Sequence, residues 1–401
     1  MPDQAPRAEA QAPPEAPKRR GRTGKRRTVG RVLLATAVVL ALATGLGVVY
    51  LYRHLNGNLD VVDVTDQLGD RPEKQEVAGP QEPLNILVMG SDDRDAAGNN
   101  IDNQELGSSD RSDTTILMHL SADRKRAYGI SIPRDSLVTR PNCKTEDGDS
   151  IPGGTDVMWN EAFALGGPGC TIRQFEKTTG VFVDHYIVVD FAGFESMVDA
   201  IDGVPVCIPE PINDPAHGIN IPAGTREVEG REALNYVRAR YTLGDGSDIG
   251  RIKRQQAFIA AMANKVMSAG TLARFDRLVG FLNASTKSLQ VDPGLENVIK
   301  IAKLGVGFQN IGLGNIQFIT VPWKYDQRPE YSGRVTWLPQ AKQLWDKIAA
   351  DEPLTKRMSS DAISAAKPTG SESKKPGQTP SKSPAVSQDE AEEAAANGLC
   401  A

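Results

Sequence analysis

Hydrophobic positions change their pattern three times along the chain. Residues 32–52 form one apolar run of 21 residues without a charge, about what a helix needs to cross a ~30 Å hydrocarbon core. From residue 84 onward the apolar runs become short and strand-like, at 84–89, 114–120, 127–132, 183–190, 204–208 and 316–321. Between them, helical spacing predicts helices over 156–165, 171–179, 191–201, 230–239, 249–268, 272–284, 295–306 and 338–350. Strands alternating with helices predict the α/β class, an αβα sandwich around a central mixed sheet, preceded by one transmembrane helix. Outside this region the pattern fades. Residues 1–31 read as a disordered basic tail, 53–83 as a stalk, and 355–401 as a flexible low-complexity tail after a domain at 84–354.

Charge sharpens this layout. The formal net charge of −5 conceals 9 Lys/Arg against 3 Asp/Glu in residues 1–31, and 36 against 48 in residues 54–401. By the positive-inside rule the basic end stays in the cytoplasm and the domain lies outside the cell membrane. A cleaved signal peptide is the alternative, but its apolar run is usually ~7–15 residues, and Ala41-Leu42-Ala43 would cut in mid-run. A single-pass anchor is therefore expected, which disfavours a cytosolic enzyme or a nucleic-acid-binding factor. The basic run is explained by topology and by anionic inner-leaflet lipid. The four cysteines, Cys143, Cys170, Cys207 and Cys400, suit an oxidising compartment and contain no CxxC pair. Cys143 with Cys170 is the favoured pairing, because it staples the polar loop between them.

The usual catalytic sets are sparse. None of the four histidines, His54, His119, His185 and His217, lies in a triad or metal motif. His119 and His185 fall within strand-like runs and read as packing residues. Gly166-Gly167-Pro168-Gly169 lacks the Lys-Ser/Thr of a P-loop and reads as a tight turn. Arginine is better placed. Arg111 precedes a strand, Arg134 follows one, Arg238 and Arg240 end a helix, and Arg251 opens another, with Gln255 one turn on. Ser247 or Asp248 is the expected N-cap there. Cations at a helix N-terminus call for an anion, and a planar guanidinium suits phosphate oxygens. Asp92 and Asp113 sit beside strand ends, and two carboxylates with phosphate oxygens suit Mg²⁺. Each charge alone reads as a solvated surface group; their common placement at element ends suggests a site.

These residues carry a family resemblance. NILVMGSD at 85–92, RSDTT at 111–115, SIPRD at 131–135, NEAF at 160–163, VDFAGF at 189–194 and RAR…SDIGRIKRQQ within 236–256 resemble the LytR-CpsA-Psr proteins over roughly residues 84–350. The resemblance implies an extracytoplasmic phosphotransferase, or ligase, that moves a glycopolymer from a polyprenyl-pyrophosphate carrier to a sugar hydroxyl of peptidoglycan. Teichoic acid, arabinogalactan and capsular polymers remain open as cargo. It implies Mg²⁺ (or Mn²⁺) held by Asp92 and Asp113. It also implies a pyrophosphate clamp of Arg111, Arg134, Arg238, Arg240 and Arg251, with Gln255 close by. Asp248 would orient Arg251 or assist deprotonation of the acceptor. An apolar lipid tunnel is implied between sheet and helices, to which Phe258, Ile259 and Met262 are candidates. Two alternatives use the same arginines: hydrolysis of the lipid-pyrophosphate glycan, and binding of lipid or polymer without turnover in a regulatory role.

Overall fold

A computed structural model describes residues 23–91, 112–215, 219–239, 247–368, 394 and 397–400, with the side chains of 23–27, 113, 269 and 272 not described. Asp92, Arg111, Arg240 and His217 therefore lie outside the described residues. The chain divides into two units, residues 1–53 and 54–401. The apolar run belongs to helix α1 (Thr23–Asn58), in which Thr28–Asn58 is long and apolar enough to cross a membrane.

In the second unit eight strands form one sheet. They are β1 (Asp60–Val61), β2 (Leu84–Ser91), β3 (Ser112–Leu120), β4 (Ala127–Ile132), β5 (His185–Asp190), β6 (Leu289–Val291), β7 (Ile316–Thr320) and β8 (Ile363–Ser364). Their spatial order is β1-β6-β5-β2-β3-β4-β7-β8. The β1–β6, β5–β2 and β4–β7 pairs are parallel and the others antiparallel, so the sheet is mixed. Among the described residues, the helices of more than four residues that accompany it are α2 (Glu161–Thr179), α3 (Phe191–Ala200), α4 (Gly230–Arg238), α5 (Asp248–Met267), α6 (Phe275–Ser288), α7 (Val298–Ile311) and α8 (Pro339–Ala349).

Period-two alternation divides each central strand between two cores. Leu87, Met89, Leu117, Ile130 and Tyr186 pack with Phe175 of α2 and Trp345 of α8. Ile86, Leu120 and Phe318 pack on the opposite face with Ala257 and Ala260 of α5. A third cluster joins α3 and α4 to the hairpin Val204–Ile208/Gly224–Val228. The expected αβα sandwich is present.

Several boundaries differ from expectation. Residues 54–83 are not a free stalk: Val64 and Leu68 are buried in the core, and β1 pairs with β6. The expected tail contributes β8 to the sheet edge, and Leu399 packs beside α5. Only the second half of the expected helix at 156–165 forms, as the start of α2 at Glu161; Gly154–Met158 is instead a strand paired with Leu137–Arg140, so cross-strand pairing overrides the local pattern there. The expected helix at 171–179 is the second half of α2, which passes through the glycine-rich turn with Gly167 at φ +57°. Both disulfides, Cys143–Cys170 and Cys207–Cys400, are formed.

Candidate functional site

The N-terminus of α5 organises the site. Ser247 is its cap, with Oγ accepting from the Gly250 N–H at 3.1 Å. Asp248 and Arg251 lie one turn apart, and the Arg251 guanidinium donates to Asp248 Oδ1. Both are almost fully buried. Arg134 arrives from the turn after β4 and places its Nε 3.5 Å from the same carboxylate oxygen. A cation in the first turn opposes the helix dipole, and Asp248 offsets that cost for two guanidiniums at once. Among the described residues, Asp248 Oδ2 is buried without a hydrogen-bond partner.

The next residues fasten α5 to the sheet ends. Thr114 Oγ1 of β3 donates to Gln255 Oε1 at 3.2 Å, and Gln255 Nε2 donates to the Val237 carbonyl at 3.3 Å. Gln256 Nε2 reaches Ser131 Oγ of β4 at 2.9 Å and Thr320 Oγ1 of β7 at 3.1 Å. Fully buried Arg254 donates to the carbonyls of Ala239 and Asn397. Burial pushes the nearby Tyr236 phenol up to about 12, and the Arg254 charge only partly offsets this.

Beside these groups a cavity of about 200 Å³ opens between the sheet and helices α3–α5. Val88, Ile116 and Val189 line its sheet side, and Phe194, Met197, Leu234, Phe258, Ile259 and Met262 line its helical side. Thr114, Asp190, Arg238, Arg251 and Gln255 supply the polar members of the lining. Arg238 also lies over the Phe191 ring, 5.0 Å from its centroid. The cavity is thus an apolar chamber carrying two guanidiniums, with a third, Arg134, one carboxylate away.

Of the residues singled out from sequence, the fold brings together Arg134, Arg238, Asp248, Arg251 and Gln255. Phe258, Ile259 and Met262 line the chamber, and Phe258 is also fully buried core. Asp113 belongs to β3, with its side chain not described. Among the described residues no three His, Cys, Asp or Glu are arranged to hold a metal ion. His119 and His185 are structural, through side-chain hydrogen bonds rather than packing alone. His119 is buried between Asn85 and Asp351, and His185 bonds Asp292. Sequence reasoning gave no role to Asp190, present only within the VDFAGF motif, whose Oδ1 caps α3 through Gly193 N–H at 2.6 Å. An aspartate followed by a helical pattern is a cap signal that could have found it.

A family model, LytR_cpsA_psr, matches residues 51–349. The cell wall biosynthesis protein LcpA of Corynebacterium glutamicum is 31% identical over 315 residues, covering 73% of this chain and 59% of that protein. The polyisoprenyl-teichoic acid–peptidoglycan teichoic acid transferase TagV of Bacillus subtilis is 28% identical, covering 63% of this chain and 62% of that protein. The chain thus spans about 60% of the length of these relatives. A LytR-Csp2A-Psr enzyme from Actinomyces oris shares the fold, with a TM-score of 0.53 at 19% identity over 73% of this chain and 96% of that one. Matched over most of its length, the chain belongs to the LytR_cpsA_psr family.

Proposed function

We propose that the protein is a membrane-anchored phosphotransferase that moves a glycopolymer from a polyprenyl-pyrophosphate carrier to a sugar hydroxyl of peptidoglycan. One observation carries this reading: Arg238, Arg251 and Gln255, with Thr114 and Asp190, are the polar members of a mostly apolar chamber. Such a chamber suits a ligand with a hydrocarbon tail and a multiply charged head, as a lipid pyrophosphate has. The name of the TagV relative, a teichoic acid transferase, supports the same reaction class.

In the proposed reaction the acceptor hydroxyl oxygen forms a bond to the glycan-bearing phosphorus. The bridging P–O bond breaks, polyprenyl phosphate leaves with the electron pair, and the hydroxyl proton passes to water. Phosphoryl transfer depends mainly on positioning and charge neutralisation. Arg238 and Arg251 hold the pyrophosphate oxygens, with Arg111 and Arg240 assigned to the same clamp. Asp248 fixes the forks of Arg134 and Arg251, and Gln255 ties α5 to β3. Asp92 and Asp113 are assigned to Mg²⁺: carboxylates are hard oxygen donors that suit the ion, which when bound would supply further neutralisation of the pyrophosphate. α1 is assigned as the anchor, with its basic end cytoplasmic and the disulfide-bonded domain outside.

The deciding experiment supplies labelled polyprenyl-pyrophosphate glycan and a peptidoglycan acceptor to the full-length protein, with and without Mg²⁺. Metal-dependent incorporation of label into the acceptor is expected. Release of free glycan phosphate alone would identify a hydrolase, and lipid binding without turnover would identify a binding module.

A further inference from the structure

A second cavity, about 590 Å³ in volume, lies across the sheet from the lipid chamber. Strand alternation separates the two: Val88 and Val189 line the chamber, whereas Ser91 and Val188 line the second cavity. Asp190, at the end of β5, lines both. One wall is the turn carrying Glu146 and Asp147, within the hairpin of Cys143–Lys144 and Ser150–Ile151. The other is the kinked start of α2, from half-exposed Leu165 through Gly167. Gly167 takes φ +57° and ψ −151°, a conformation for glycine, so this wall presents backbone. The Cys143–Cys170 disulfide ties the two walls together. The glycine turn and the staple, otherwise unrelated motifs, thus build one groove.

We propose that this groove binds the acceptor, a hydroxyl-rich glycan strand that is neutral or amine-bearing. The assignment rests on reading the adjoining site as a phosphotransferase. In an in-line displacement the attacking and leaving oxygens lie on opposite sides of phosphorus. With the lipid phosphate departing into the chamber on one face, the attacking hydroxyl arrives from the other, where the groove runs up to Asp190. Charge selects between the two glycans. Asp60, Glu146 and Asp147 outnumber Lys287 along the groove, which disfavours the donor's pyrophosphate and any anionic polymer it carries, and accepts an uncharged or amine-bearing chain. Leu165 offers an apolar rim for the C–H face of a sugar ring.

The test titrates soluble, uncrosslinked peptidoglycan chains into the full-length protein in detergent, and separately uses the same chains as acceptors in the transfer assay. Leu165→Asp and Glu146→Lys alter exposed positions and are expected to fold, as circular dichroism would verify. Each should weaken chain binding and raise the acceptor KM about tenfold, the loss of one contact worth ~1.4 kcal/mol. Donor KM and kcat at saturating acceptor should stay unchanged. Unaltered chain binding in both variants would overturn the proposal. So would a rise in donor KM instead, which would give the groove to the donor's glycan. Because the titration needs no turnover, chains that bind but are never modified would sink the phosphotransferase reading while the groove assignment stands.

Discussion

Asp248 serves two guanidiniums at once: one of its carboxylate oxygens lies close to both Arg251 and Arg134 and offsets their charge. Arg251→Ala is expected to lower transfer by about 10²–10³, the usual cost of one donor to a developing charge, while the far-ultraviolet spectrum is unchanged. Arg251→Lys should recover less than a tenth of the parent rate, since an ammonium keeps the charge and loses the planar fork. Asp248→Ala leaves two arginines without their shared counter-charge and should destabilise the fold by about 3 kcal/mol, read as a lower urea midpoint.

Elements with enough residues to show a period were legible before the fold was known. The five-to-nine-residue strands β2, β3, β4, β5 and β7, and α5, all emerge from sequence within a few residues of their observed bounds, with the α5 cap narrowed to Ser247 or Asp248. Strands β1, β6 and β8 hold two or three residues each, too few to alternate, and their partners are far off: Asp60 pairs with Gln290. Long-range polar locks were equally hidden. Asp351, just beyond α8, accepts from Ala122 N–H at 2.9 Å, lies 3.1 Å from His119 Nε2 and pairs with Arg126. Burial opposes its charge, but His119, the Ala122 amide and Arg126 together hold its carboxyl below the usual range. A depressed carboxyl stabilises the fold above its unfolded value near 3.8 and loses that contribution as pH falls through the lower folded value. Asp351→Asn should therefore lower the unfolding midpoint at neutral pH, and the gap from the parent should narrow on acidification below about pH 4. A gap independent of pH would refute the assignment. For the site, residue types and helix ends were readable. The chamber was not, because it requires α3, α4 and α5 to converge on one sheet face.

For the molecule as a whole, the C-terminal segment proved structural. Cys400 is joined to Cys207 across 193 residues, and Asn397 receives a hydrogen bond from Arg254 on the arginine-bearing helix. Closing so long a loop is worth up to about 5 kcal/mol in the chain-entropy model. The double variant Cys207→Ser/Cys400→Ser should lower the melting temperature and reduce transfer, by freeing the segment that braces Arg254. The sheet between the two cavities has a consequence for the order of events. If lipid donor and glycan acceptor occupy opposite faces and meet only at the strand ends, neither blocks the other's entry. Binding should then be random, and double-reciprocal plots of rate against either substrate should intersect; parallel lines, the mark of a covalent enzyme intermediate, would contradict direct transfer between the two faces.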